Sequence, residues 1–337
     1  MTRRPTVVEV AQRAGVSIAS VSRVLNGIPA RPETEERVRS AVAELGYVPD
    51  ATGRTLKLGR TLHIAFAVDA LDNPVYAEMM RGVEAGLANS GARLLVSSTG
   101  HDPADLLAVV DSLSRGYADG LIISPLRRTP ELTAALVGAP VPVVVIGDLG
   151  NAPLDTVRTD SRRGVRLAYE HLRASGRRRI AFVNGPTDTA PGRARIEGFR
   201  AASDGEPTGP LVEVGDFTVT AGEQAWDRLR GSGAEFDAVL AANDLLALGV
   251  MRGALTANVG IPDEIAVTGI DDIAFARIFA PALTSVSLGA YERGRLAARL
   301  LLDRMTSPTA PLKTLTVEPT LVVRASTGRP RGAALRG

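Results

Sequence analysis

Beyond residue 61 the chain alternates near-continuous apolar runs with longer stretches of helical character. The runs are LHIAFAV (62–68), ARLLVS (92–97), DGLIIS (119–124), VPVVVIG (141–147), RRIAFVNG (178–185), GPLVEVG (209–215), FDAVLAA (236–242) and EIAVTGI (264–270). Strands this rich in Val, Ile and Leu, without a polar face, are covered on both sides, which is the pattern of parallel sheets sandwiched between helices. Two such series in succession predict an α/β protein with two doubly wound parallel-sheet subdomains.

The first 47 residues follow a different period. Thr6-Val-Val-Glu9 is a capping box opening a helix that runs to Ala14 and ends at Gly15. Ser17 is an N-cap for a second helix, in which Ile18, Val21, Val24 and Leu25 form an apolar stripe, and Asn26-Gly27 supplies the stop. A third helix, about Glu33 to Leu45, carries Val38, Ala41, Val42 and Leu45 on one face, with Gly46 closing it and Tyr47 packing behind. Two short helices across a tight glycine turn make a helix-turn-helix. The second has the composition of a recognition helix: Ala19, Ser20, Ser22 and Asn26 are small or hydrogen-bonding, Ile18 and Ala19 offer apolar contact to a thymine methyl, and Arg23 can fork onto guanine.

Charge sharpens this division. The net charge of +2 conceals a surplus of four positive charges in residues 1–60, while the remainder holds 29 basic against 31 acidic residues. The basic end is the one expected to meet DNA. With no cysteine and three scattered histidines (His63, His101, His171), neither a disulfide framework nor a metal site is expected. No P-loop, no G-x-S-x-G and no G-x-G-x-x-G after a strand is present, so no catalytic residues and no cofactor are expected. The start, MTRRPTVVEV, lacks the apolar core of a secretory signal and no run approaches ~20 apolar residues, which leads us to expect a cytoplasmic protein with no membrane contact.

TVVEVAQRAGVSIASVSRVLNG followed by AVAELGYVPD resembles the lactose-repressor/galactose-repressor (LacI/GalR) family of bacterial transcription regulators. The resemblance implies a helix-turn-helix domain over 1–48, with Thr6, Ser17, Ile18, Ala19, Ser20, Ser22, Arg23, Asn26 and Arg31 at the DNA. It implies a hinge helix and linker over 49–60, where Asp50 caps the helix, Gly53 and Arg54 lie within it and Leu56 wedges into the minor groove. A core like that of the type I periplasmic binding proteins follows over 61–328. Its subdomains are 61–160 plus 286–318 and 161–285 plus 319–328, with returns near Ser285–Leu288 and Leu315–Val323, and 329–337 is a flexible tail. The tail has no leucine heptads, so a homodimer on a palindromic operator is implied.

In open α/β sheets ligands sit beyond the carboxyl ends of the strands. Residues there match the family's effector contacts: Arg195 in RIEGF, Phe217 in GDF, Asn243 in AAND and Asp271 in GIDD, with Asn73 and Tyr76 of DNPVY and with Asp148 and Asp160 after later strands. The chemistry suits a sugar, since carboxylate and amide fork onto hydroxyls and an aromatic face covers the ring. There are departures. Gly147 follows the fourth run where an acid is usual, with Asp148 one place later, Arg31-Pro32 replaces a hydroxyl cap, and Gly53 replaces alanine. The function implied is a repressor whose operator affinity is set by a small metabolite, a sugar; the alternative is a cytoplasmic sugar receptor of the periplasmic-binding type without a regulatory role.

A hinge helix of about eight residues is shorter than the ~12–15 at which isolated helices become marginal, so it is expected to fold only on the operator. Gly53 within it costs ~0.8–1 kcal/mol relative to alanine. With two hinges per dimer, Gly53→Ala is expected to tighten operator binding by ~1.6–2 kcal/mol, roughly fifteen- to twenty-five-fold, in titrations at fixed salt. Weaker binding would show instead that the glycine permits a close backbone approach.

Overall fold

A computed structural model describes residues 5–25, 28–47, 62–100, 103–206 and 208–328. The chain divides into two compact units, one ending at Thr61 and the other starting at Leu62. Asn26, Asp50, Gly53, Arg54 and Leu56, like the tail 329–337, lie outside the described residues.

The first unit holds helices α1 (Val7–Ala14), α2 (Ile18–Leu25) and α3 (Pro32–Leu45). Both halves of the Thr6–Glu9 capping box are formed, and Gly15 and Gly46 end α1 and α3 in the left-handed conformation that a side chain would oppose. Val10, Ala11, Ala14, Val21, Val38 and Ala41 make its core, with Val24, Leu25, Val42, Leu45 and Tyr47 packed around them. Ile18 departs from the expected stripe: it is 49 % exposed, because so small a unit has too little interior to cover every apolar residue of α2.

The second unit contains two six-stranded sheets. The first comprises β1 (His63–Val68), β2 (Arg93–Ser98), β3 (Gly120–Ser124), β4 (Val143–Ile146), β5 (Asp155–Thr159) and β11 (Thr314–Val317), in the order β11-β5-β4-β3-β1-β2. The second comprises β6 (Ile180–Asn184), β7 (Leu211–Glu213), β8 (Ala238–Ala241), β9 (Ala266–Ile270), β10 (Thr284–Ser287) and β12 (Thr320–Val322), in the order β12-β10-β9-β8-β6-β7. Pairing is parallel throughout except between β10 and β12. Helices α4 (Pro74–Leu87), α5 (Pro103–Leu113), α6 (Pro130–Val137), α7 (Ser161–Ala174), α8 (Ala190–Ala202), α9 (Val219–Gly231), α10 (Asp244–Thr256), α11 (Ala274–Ile278) and α12 (Ala290–Thr306) connect the strands.

Three features differ from the sequence reading. Strand β2, expected to be covered on both sides, is an edge strand with Leu95 and Val96 exposed. Strand β5, DTVRT, has no apolar run to announce it. Asp155, 1 % exposed, accepts from Arg304 Nε at 2.7 Å and Nη2 at 3.1 Å and from the Lys313 amide at 2.8 Å, so a forked ion pair anchors what hydrophobic burial does not. The chain also returns to the first sheet later than residue 286. Val286 pairs with Ile270 and Leu321, and Ser287 with Thr320, so all of β10 belongs to the second sheet and the crossing follows Ser287.

Helix α12 completes the first sheet by packing on α4, more than 200 residues earlier in the chain. The two meet backbone to backbone: a Cβ at Gly82 would lie 1.9 Å from the Tyr291 carbonyl oxygen, and one at Gly294 would lie 2.0 Å from that of Met79. Neither carbonyl can step aside without moving its helix. Gly82→Ala is therefore expected to lower unfolding free energy by about 1–3 kcal/mol or more, measured by denaturant titration. An unchanged midpoint would mean that the helices part at no cost.

Candidate functional site

In the first unit the described residues expected at DNA fall on α2, at the cap of α1 and at the head of α3. Ser17 caps the helix, its Oγ accepting from the Ser20 amide at 3.1 Å and lying 3.0 Å from Ser20 Oγ. Ile18, Ala19 and Arg23 are exposed, Ser20 and Ser22 half-buried, and Val21 seats the helix in the core. Arg31 is exposed at the head of α3, which opens on Pro32 without a side-chain cap. Thr6 is exposed but committed to its cap, with Oγ1 donating to Glu9 Oε2 at 3.1 Å. Arg37 Nη2 donates to the Gly15 carbonyl at 3.1 Å and fixes the turn between α1 and α2.

In the second unit a cavity of about 590 Å³ is lined by all eight residues expected at the effector. Several of them also start helices. Asn73 accepts from the Val75 amide at 3.2 Å, Asp160 from Arg163 at 2.9 Å and Asn243 from Leu246 at 2.9 Å. This dual use has a topological cause: a helix follows most of the parallel strands, so its N-cap stands at the carboxyl end where the cavity opens. Asn243 also donates Nδ2 to the Phe217 carbonyl at 3.2 Å, and Asp148, exposed, accepts from the Gly150 amide at 2.6 Å.

The floor is charged. Arg195 Nη1 donates to the Ala242 carbonyl at 2.6 Å, and Nη2 lies 3.2 Å from Asp271 Oδ1, with both side chains 7 % exposed. The Phe217 ring centre lies 5.9 Å from the Arg195 guanidinium. Burial pushes the Asp271 carboxyl up, against the opposing pull of Arg195 and Arg293. Tyr76 is pushed up too, chiefly by burial and then by Asp69 and Asp271.

Asp271 owes its position to a strained turn. It and Asp272 take φ of 111° and 54°, a region that disfavours side chains. Asp244, fully buried, braces the turn: Oδ2 accepts from the Ile273 amide at 2.8 Å and Oδ1 from Ser285 Oγ at 2.5 Å, and Ser285 Oγ in turn accepts from the Asp272 amide at 3.0 Å. Asp272 Oδ1 pairs with Arg324 Nη2 at 2.6 Å. Burial, then the nearby Asp271, raises the Asp244 carboxyl well above its ordinary range.

Sequence reasoning passed over Asp69 and Arg293, both buried and both lining the cavity. Each had left a signal. Asp69 directly follows an apolar run, and Arg293 stands on the stripe Ala290, Gly294, Ala297, Leu301, where a charge is out of place. Among the described residues no group of His, Cys, Asp or Glu could hold a metal, and no helix is long and apolar enough to cross a membrane.

The family description "Bacterial regulatory proteins, lacI family" matches residues 6–50, and "Periplasmic binding protein-like domain" matches 169–327. The HTH-type transcriptional regulator CelR of Thermobifida fusca is 36 % identical over 336 residues, covering 96 % of this chain and 98 % of CelR. The chain belongs to the LacI family. The ribose operon repressor of Escherichia coli (strain K12) is 33 % identical over 328 residues, covering 95 % of this chain and 99 % of that protein. Among solved structures, the lac repressor dimer bound to operator and the anti-inducer ONPF has a TM-score of 0.88 at 26 % identity, over 97 % of this chain and all of that one. A CelR–cellobiose complex has a TM-score of 0.72 at 33 % identity, over 96 % of this chain and all of that one. This LacI-family protein is thus a DNA-binding transcriptional regulator and, like its relatives, not an enzyme.

The brace makes a pH-dependent contribution. Because the folded Asp244 carboxyl holds its proton above the unfolded value of 3.8, the folded state binds more protons than the unfolded one, and stability falls as pH rises through that interval. Asp244→Asn keeps an acceptor for the Ile273 amide, turns the contact with Ser285 Oγ from acceptor to donor, and does not titrate. Relative to wild type its unfolding free energy is expected to improve steadily from pH 4 upwards in parallel denaturant melts. A difference independent of pH would show that Asp244 titrates alike in both states.

Proposed function

We propose that this regulator is a cytoplasmic repressor that binds a palindromic operator as a homodimer and changes its grip when a small polyhydroxylated metabolite enters the cavity of the second unit. The observation that carries the reading is the convergence of Arg195, Asp271, Asn243 and Phe217 on one cavity, an arrangement of forked donors and acceptors beside an aromatic face that suits hydroxyl groups on a ring. The cellobiose bound by CelR and the operator bound by the lac repressor dimer support it by likeness. In this reading Thr6, Ser17, Ile18, Ala19, Ser20, Ser22, Arg23, Asn26 and Arg31 meet the duplex. The hinge residues Asp50, Gly53, Arg54 and Leu56 meet the minor groove. Asn73, Tyr76, Asp148 and Asp160 complete the effector contacts.

Control requires that the ligand bind two states of the core unequally, and such coupling acts in either direction. Arg23 is the long donor on the exposed side of α2, so it carries the polar base readout. Arg23→Ala is expected to cost ~1–3 kcal/mol per half-site and to relax preference at one guanine in a binding-site selection. Asp271→Asn, which avoids leaving Arg195 beside an empty space, is expected to remove the ligand's effect on operator affinity while operator binding persists. The probes are a thermal-shift screen of mono- and disaccharides, where a ligand at ~100 times its Kd stabilises by roughly 2.7 kcal/mol, followed by operator titration. An Arg23→Ala variant with unchanged base preference, or an Asp271→Asn variant with an unchanged ligand response, overturns the respective assignment.

A further inference from the structure

Segments from the two sheets meet at the cavity. Leu126 and Ala190 both line it, one on the loop between β3 and α6, the other at the first position of α8. The first amides of a helix have no acceptor within it. That of Ala190 finds one across the cleft, donating to the Leu126 carbonyl at 2.8 Å. Beside it Arg127 Nε donates to Asp188 Oδ2 at 2.7 Å, with the arginine side chain 25 % exposed and the aspartate 62 %. Two adjacent residues of the first subdomain are thus bonded to two of the second, by a backbone hydrogen bond at the cavity and an ion pair beside it that reaches solvent.

The second-subdomain side of this junction is held firmly. Thr187 donates to Glu213 Oε1 from its amide at 3.0 Å and its hydroxyl at 2.7 Å, while Thr189 Oγ1 donates to the Pro186 carbonyl at 2.6 Å and accepts from the Gly192 amide at 3.1 Å. A Cβ at Gly192 would lie 2.0 Å from that same carbonyl oxygen, so the loop is seated directly on α8, the helix that carries Arg195. The position of the junction matters as well. The chain passes between the sheets after β5, after β10 and between β11 and β12, all along one edge of each sheet. Strand β3 stands two strands in from β5, and β6 three strands in from β10. Three crossings on one side act as a pivot, and contacts away from a pivot travel most when the sheets part. The cavity lies between, lined by Asp160, Leu288 and Glu318 at the crossings and by Leu126 and Ala190 at the junction.

We propose that the Ala190–Leu126 hydrogen bond and the Arg127–Asp188 ion pair form a clasp that holds the cavity closed opposite its pivot and opens to admit and release the effector. Arg127 and Asp188, neither of which lines the cavity, are positioning residues that set effector affinity and residence time without touching the ligand. The proposal rests on the reading of the cavity as the effector site and gives that site its two states, clasp made and clasp undone. A ligand that bridges Arg195 and the start of α4 favours the first, and a clasp that holds this state beforehand leaves less for binding to order.

The test uses the full chain. The Ala190 amide is expected to be protected from hydrogen exchange, to be protected further by saturating sugar, and to exchange about two- to fivefold faster in Arg127→Gln and in Asp188→Asn, the range open to so exposed a pair. The sugar probes are D-ribose, D-glucose and cellobiose. For whichever binds, Kd should rise by the same factor in both variants through faster release, read by calorimetry and stopped-flow mixing. The swapped pair, Arg127→Asp with Asp188→Arg, should restore both readouts, and raising KCl should bring wild type towards the single variants. Unchanged Ala190 exchange or unchanged sugar release in the single variants, sugar that speeds the exchange, or a swapped pair no better than the single variants overturns the clasp and leaves the carbohydrate reading intact. Binding of none of the three sugars overturns the carbohydrate reading, and the exchange of the Ala190 amide then decides the clasp alone.

Discussion

The cavity depends on a carboxylate that never reaches it. Asp244 lies at the start of α10, and its two oxygens take hydrogen from the Ile273 amide and Ser285 Oγ. It thereby joins a helix, the turn after β9 and the strand β10. That turn holds Asp271 and Asp272 at positive φ, which an isolated chain would relax. A Cβ at Gly269 would lie 2.2 Å from Asp244 Oδ1, so the preceding strand makes room for the brace by having no side chain there. Remove the buried acid and Asp271 loses the geometry that brings its carboxylate to Arg195.

This explains why function and stability are hard to separate by inspection here. A polar residue at the carboxyl end of a strand has two employments, capping the next helix and facing whatever fills the cleft. Asn243 does the first through Oδ1 and ties down Phe217 through Nδ2, yet an amide has further donor and acceptor capacity to offer. The buried pair of Arg195 and Asp271 is weak evidence for stability, since desolvation offsets most of its attraction. Its value lies in holding donors fixed before a ligand arrives, so that binding does not have to order them.

The sequence revealed the architecture where physics repeats itself. Helices α1 to α3 were legible from caps and glycines, and most of the parallel strands from unbroken apolar runs, because central strands are buried on both faces; the edge strand β2 carries such a run with Leu95 and Val96 exposed. It concealed β5, where a forked Arg304–Asp155 pair stands in for apolar burial and the two partners are 149 residues apart. The return after Ser287 was displaced from 286 because register, which hydrophobicity alone does not fix, decides which sheet a residue joins. At the cavity, family resemblance supplied Arg195, Asn243 and Asp271, whereas Asp69 and Arg293 had to be found by burial, the one property that separates a solvated charge from a working one.

The late return of the chain has a consequence for synthesis on the ribosome. The first sheet has its edge strand β11 and its covering helix α12 contributed from near the end of the chain, and α12 docks on α4 through glycines at both surfaces. Its amino-terminal strands therefore emerge long before their cover exists, with the apolar residues of β1, β3 and β4 unburied on one side in the meantime. The second sheet can gather most of its strands as one continuous stretch and so is poised to fold first. Folding would then run against the order of synthesis, leaving the earlier half of the core as the part most exposed to misassembly.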